Sequence, residues 1–245
     1  ILGTHDSVNA ITCDELHRFV KEKFLPPRMA FSIVADIDEA KMEKEVLRLV
    51  KKYLGESKSQ APTSERILSK PEPILFNQTI DKHNHEVNAV IGGIAPSLYE
   101  ERERLATVLM SNILGGPSAN AILNDILREK KGWVYGVECS YTQYSDTGIL
   151  AICLGCDKEN LQKCFRAIDK ALARLQNEPL SERKLKAAKK QLLGQLAISS
   201  DNGETQCLSM GKSLLSFGRI ASDEENKKKI ESITAEEIQA IAKKI

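Results

Sequence analysis

Aromatic residues are scarce in this chain, at 5% of its 245 residues, so stacking platforms for single-stranded nucleic acid are not expected. No charge of one sign prevails: 35 Lys and Arg stand against 34 Asp and Glu, a formal net charge of +1. That balance removes any general pull toward nucleic acid or an acidic membrane surface. No run of about 18 apolar residues is present, so no membrane span is expected. Histidine is rare too, with four in the chain, and none falls in H-x-x-E-H or its reverse. That pattern aims two imidazoles at one zinc ion from successive turns of a helix. His83-Asn-His85-Glu86 is the one cluster. On a strand its two histidines would share a face, but the charged surroundings read as a solvated edge. Neither a G-x-S-x-G elbow nor a phosphate-binding loop occurs. No metal ligand and no catalytic residue is therefore assigned to this chain.

What is present is enough apolar sequence, 42%, for a core built without staples. The length suits one or two domains of about 100–200 residues each. The chain opens at Ile1 with no signal-peptide pattern, and it reads as a piece of a longer protein whose targeting signal, if any, lies upstream. Six cysteines, Cys13, Cys139, Cys153, Cys156, Cys164 and Cys207, sit in apolar-periodic stretches where Cys acts as a small hydrophobe. Cys153-Leu-Gly-Cys156 has redox spacing, but it ends a strand-like run instead of opening a helix. Reduced cysteines favour a cytoplasmic location; the compartment is otherwise unknown.

The apolar periods and their stops predict a coarse order of elements. Thr12-Cys-Asp-Glu15 is a capping box opening a helix to Phe24, with Leu16, Phe19, Val20 and Phe24 on one face. Met29–Ala35 reads as a short strand, and Asp38 caps a helix that ends at Gly55. Residues 56–73, rich in Ser, Lys, Glu and Pro, read as an exposed linker. Val87–Ile94 is a strand; Ser97-Leu-Tyr-Glu100 is a second capping box before a helix that Gly115-Gly116-Pro117 breaks. A helix over 119–130 follows. Trp133–Gln143 then alternates, with Trp133, Tyr135, Val137, Cys139 and Tyr141 on one side. Ser145–Gly148 turns it into the strand Ile149–Cys156. Helices fill the rest, the last capped by Thr234-Ala-Glu-Glu237.

That last cap exposes a repeat: Ile11-Thr12-Cys-Asp-Glu15-Leu16 and Ile233-Thr234-Ala-Glu-Glu237-Ile238 follow one scheme. The first copy leads into Met29–Ala35; the second has no strand after it. Met29–Ala35 is therefore expected to pair with a strand of residues 74–156, in the same chain or a neighbouring one, filling the vacant edge.

One constellation carries candidate chemistry. In Leu127-Arg128-Glu129-Lys130-Lys131-Gly132-Trp133-Val134-Tyr135 a helix ends in a basic turn and a strand leaves it. Arg128 and Tyr135 are placed to project toward one end of the sheet. A guanidinium donates bidentately to carbonyls or carboxylates, and a phenol can donate to a developing oxyanion. The bland alternative is a helix C-terminal Arg favoured by the dipole and a Tyr packed in the sheet.

The stretch from Ile113 to Leu150 resembles the C-terminal half of the M16 zinc peptidases, the pitrilysin, insulinase and mitochondrial processing peptidase group. The residues that carry the resemblance are Leu127–Tyr135 and Asp146-Thr147-Gly148, with Ile1–Thr4, Ile11–Phe24 and Pro27-Arg28-Met29 in support. It implies an α+β fold, an antiparallel or mixed sheet with helices packed on one face. It implies residues 1–55 as the tail of a first M16-like domain and 74–245 as the second. Arg128 and Tyr135 are implied to bind peptide substrate across a cavity from zinc. The family's zinc motif is not in this chain, so zinc belongs to the parent protein and the chain alone is expected to be inactive.

The implied partners are a peptide substrate and either the missing first domain or a catalytic M16-like subunit; a homodimer is compatible as well. A non-catalytic M16-like subunit with a structural or interaction role is the alternative. A free-standing binding module is the third reading, and it leaves Arg128 and Tyr135 without a purpose.

Overall fold

The computed structural model describes residues 3–55 and 75–245. The expected linker, 56–73, lies outside them. Contacts divide the chain into two units, each taken by itself below. One joins the described part of Ile1–Glu65 to Ala197–Ala221; the other joins the described part of Arg66–Leu196 to Ser222–Ile245. By contacts, residues 197–221 cluster with the first unit.

The first unit contains α1 (His5–Asn9), α2 (Cys13–Lys23), a 3₁₀ turn at Pro26–Arg28, α3 (Glu39–Leu54) and, from later in the chain, α7 (Gly203–Phe217). Its helix starts are set locally. Thr12 and Glu15 form the reciprocal capping box, with Thr12 N–H donating to Glu15 Oε2 at 2.9 Å and Glu15 N–H to Thr12 Oγ1 at 3.2 Å. Asp38 caps α3 by accepting from Lys41 N–H at 3.1 Å. The apolar face of α2 is real, but Leu16, Phe19, Val20 and Phe24 all remain about half exposed.

Met29–Ala35 is not a strand, which corrects the helix–strand–helix reading of 1–55. The segment joins no ladder among the described residues. It lies against α7, where Ser32 Oγ donates to Cys207 O at 2.7 Å and Cys207 Sγ donates to Ser32 O at 3.1 Å. A helix spends its own N–H and C=O groups internally, so it offers an extended neighbour only isolated bonds, never a ladder.

The second unit is built on β1 (Glu86–Ala95), β2 (Val134–Gln143) and β3 (Gly148–Asp157). They form an antiparallel sheet in the order β1-β3-β2, which leaves β2 on an edge. β2 and β3 are the expected hairpin, closing at Gln143↔Gly148. Even-numbered residues of β3, Leu150 through Cys156, are buried; the odd ones are partly open. Helices α4 (Glu101–Gly115), α5 (Leu161–Asn177), α6 (Glu182–Ser200), α8 (Asp223–Glu231) and α9 (Ala235–Lys244) supply the rest of this layer's partners. Leu109, Leu114, Leu127, Ile168, Ile233 and Ile238 fill the core with Cys156 and Cys164. This is the expected α+β class, an antiparallel sheet with helices packed on one face.

The second capping box forms only in part. Ser97 N–H reaches Glu100 Oε2 at 2.6 Å, yet α4 begins at Glu101 and Ser97 does not cap it. Leu98 N–H is bonded to Tyr144 O at 2.8 Å, which ties this turn to the hairpin before the helix starts. At the other repeat, Thr234 and Glu237 cap α9 as expected.

Candidate functional site

The segment before β2 was expected to be a plain helix. It is a π-helical turn, Asn124–Glu129: Asp125 N–H still bonds to Ala121 O, but Lys130 N–H bonds five residues back to Asp125 O at 3.0 Å. Leu123 and Leu127 are fully buried and anchor the turn, which sets the next residue, Arg128, outward. Gly132 then adopts φ 59°, a left-handed conformation open to glycine at little steric cost. There Gly132 N–H reaches Arg128 O, and Trp133 N–H reaches Leu127 O, both at 2.9 Å. Lys131 and Lys163 lie over the Trp133 ring at 5.7 and 5.8 Å.

Arg128 lines an open groove of ≈ 390 Å³ whose other walls are Gly115–Pro117, Asn124 and Gly136–Cys139 of β2. Its guanidinium makes no hydrogen bond or ion pair with a described residue. The acidic neighbours are engaged elsewhere or open: Asp125 pairs with Lys130 at 2.6 Å, and Glu138 stands exposed on the groove wall.

Tyr135 departs from its expected place. Counting back from Gln143↔Gly148 in a regular ladder, Tyr135 would oppose Cys156 and share its buried face. Instead the register shifts between Val134 and Gly136, and Val134 opposes Cys156. Tyr135 is the extra residue of this bulge, 61% exposed, while Val134 is 7% exposed. The alternation that put Tyr135 beside Val137, Cys139 and Tyr141 therefore breaks at the strand's first turn of pleat. Its hydroxyl donates to Asp157 Oδ1 at 2.7 Å. That bond, and then the charge of Asp157, push the phenol's pKa up, so the ring stays neutral at ordinary pH. The proton expected for an oxyanion is already committed.

Arg128 and Tyr135 thus flank the same end of β2, but they do not bond to each other, and Tyr135 does not line the groove. Sequence reasoning missed Asp157. The hairpin register could have pointed to it, because Asp157 ends β3 opposite the start of β2. Cys153 and Cys156 occupy opposite faces of β3, as a strand requires, so they do not form a redox pair. Among the described residues there is no group of three or more His, Cys, Asp or Glu able to hold a metal ion. His83 and His85 are exposed and precede β1, with His83 N–H turned back to Asp81 at 2.7 Å.

The family model of the peptidase M16 inactive domain matches residues 10–192. The chain belongs to this M16 family. An uncharacterized zinc protease of Bacillus subtilis is 24% identical over 245 residues, which is all of this chain and 58% of that protein. One from Mycobacterium leprae is 24% identical over 99% of this chain and 54% of its own length. The chain therefore spans somewhat more than half the length of these relatives. Among solved structures, the peptidase M16 inactive domain from Pseudomonas fluorescens matches with a TM-score of 0.73, at 18% identity, over 99% of this chain and 57% of that one. A chain of the Candida albicans complex III2 matches with a TM-score of 0.76, at 19% identity, over 99% of this chain and 58% of that one. These likenesses show the M16 domain fold. No helix among the described residues is long and apolar enough to cross a membrane.

Proposed function

We propose that this chain is the substrate-handling part of a zinc peptidase whose metal centre is held elsewhere, in the rest of the polypeptide or on a catalytic M16-like partner subunit. In this reading residues 1–55 are the tail of a first M16-like domain, 56–73 a linker, and 74–245 the second domain. The described residues do not fit a zinc site.

The observation that carries the reading is Arg128. It is a cation without a described bonding partner, on the wall of an open groove beside an edge strand. A guanidinium carries five donors and no acceptor, so what it takes is a carbonyl or a carboxylate. An extended peptide in the groove offers carbonyls at regular spacing. Holding the peptide there orients it for a reaction conducted by other groups.

The test is Arg128→Ala in the complete polypeptide with its partner, assayed by peptide hydrolysis. Losing a charged hydrogen bond should lower kcat/KM by about ten- to a hundredfold with the fold intact. Unchanged kinetics would return Arg128 to the role of a solvated helix end.

The second reading is a non-catalytic M16-like subunit with a structural or interaction role. The likeness to a chain of a complex III2 structure is compatible with it. A parent that holds the zinc in its own polypeptide cleaves peptide when purified alone, one that borrows it from a catalytic partner cleaves only with that partner present and loses rate on Arg128→Ala, and a structural subunit copurifies with a partner or as a homodimer without Arg128→Ala altering hydrolysis.

A further inference from the structure

We infer that α5 and α6 form a docking surface for an acidic protein segment, outside the Arg128 groove. These consecutive helices carry nine Lys and Arg against two acids, Asp169 and Glu182. The whole chain has 35 and 34, so everything else in it holds 26 Lys and Arg against 32 Asp and Glu. The near-neutral total conceals two strongly basic helices.

Placement sharpens the asymmetry. α5 turns Cys164, Ile168, Ala171 and Leu175 into the core, and α6 buries Leu192. Lys163, Arg166 and Lys170 of α5 are exposed, and so are Arg183, Lys186 and Lys190 of α6. Both sets have the spacing i, i+3, i+7, which puts each within a sector of roughly 60° over a rise of about 10 Å. Asp169 and Glu182 fall outside those sectors. Lys163 Nζ bonds to the neutral amide of Asn160 at 2.9 Å. The other five side chains make no hydrogen bond or ion pair among the described residues. Elsewhere in this unit cations meet carboxylates across helices: Arg102 meets Glu237, Lys229 meets Glu101, and Lys244 meets Glu103. The acids that would match the two stripes therefore come from outside.

The stripes also select the partner's chemistry. Ala167 and Ala187 stand among the cations, with no large apolar side chain between them to enter a bilayer. Trp133, the chain's single tryptophan, already has Lys131 and Lys163 over its ring, so it is not open to stack on a base. What is left is positive charge at helical spacing. A helix with Glu at i, i+3 and i+7 presents carboxylates at the same rise, and a guanidinium takes a carboxylate bidentately.

The experiment measures binding of a helical peptide about 20 residues long, with Glu at that spacing among Ala and Gln, to the full chain by fluorescence anisotropy. A second peptide has Gln for every Glu. The Glu peptide should bind, more weakly as salt is added, and the Gln peptide should not. Arg166→Glu with Lys170→Glu, and separately Lys186→Glu with Lys190→Glu, should each weaken binding by about tenfold or more. Arg166→Gln with Lys170→Gln, which adds no repulsion, should weaken it by less. Lys41→Glu with Lys44→Glu on α3 changes the net charge equally and should leave the affinity unchanged. Circular dichroism checks that each variant is folded. No binding by the wild-type chain, equal binding of the Gln peptide, or an equal loss from the α3 variant overturns the inference. So does tighter binding, at the same salt, of a single-stranded RNA oligonucleotide or of phosphatidylserine vesicles, which would give the stripes to that polyanion.

Discussion

Gly115, the last residue of α4, lies so close to β2 that a Cβ there would sit 2.5 Å from the backbone nitrogen of Cys139 and 2.9 Å from its Cβ. The close approach brings the C-terminal end of α4 onto the strand and forms one corner of the Arg128 groove. The atoms in the way belong to a paired strand, so they cannot rotate aside.

Gly115→Ala should therefore destabilise the second unit by about 1–3 kcal/mol, the usual cost of overpacking. Urea denaturation measures it. A variant as stable as the wild type would show that α4 shifts freely on the sheet.

The docking of α9 makes stability depend on acid. Arg102 of α4 donates to Glu237 Oε2 at 2.7 Å and to Ser232 O at 2.8 Å. The Arg102 guanidinium holds the Glu237 carboxyl below its ordinary value of 4.5, aided by Thr234 N–H. The unfolded chain then binds a proton more readily than the folded one, so this contribution is present above pH 4.5 and is lost as pH falls through the lowered value. Glu237→Gln should flatten that part of the acid limb in a pH series of thermal melts. An acid limb identical to wild type would assign it to other carboxylates.

Thiol reactivity should follow burial. Burial pushes the Cys139 thiol up to about 12 and the Cys164 thiol up to about 11, and it raises Cys156 as well. Cys13 is exposed on α2. At pH 8 iodoacetamide should label Cys13 first, with Cys139, Cys156 and Cys164 protected until the chain unfolds. Peptide mapping by mass spectrometry reads the order. Early labelling of Cys139 would mean that β2 opens in the native state.

The purified chain should bind no stoichiometric zinc, because the described residues contain no group of ligands for it. Elemental analysis after gel filtration decides this. One zinc ion retained per chain would place ligands where none is described.

The sequence by itself determined what depends on residues a turn apart. The capping boxes at Thr12 and Thr234 bond to partners three residues away, so no distant contact is needed to form them. The hairpin was legible for a similar reason: Asp146-Thr147-Gly148 sits between two alternating runs, and the ladder closes at Gln143↔Gly148. Arg128 could be singled out from its chain neighbours, since a basic turn ending in Gly132 is a local pattern.

Tertiary structure decided the rest. Whether Met29–Ala35 is a strand depends on a neighbour's free backbone, and α7 has none to lend. Whether Tyr135 faces the core or the solvent depends on which residue fills the place beside Cys156. Val134 fills it without leaving a buried hydroxyl unbonded, and the phenol finds its acceptor at the end of β3. A one-residue shift of register changes the face of a side chain, and periodicity within one strand carries no information about its partner's count.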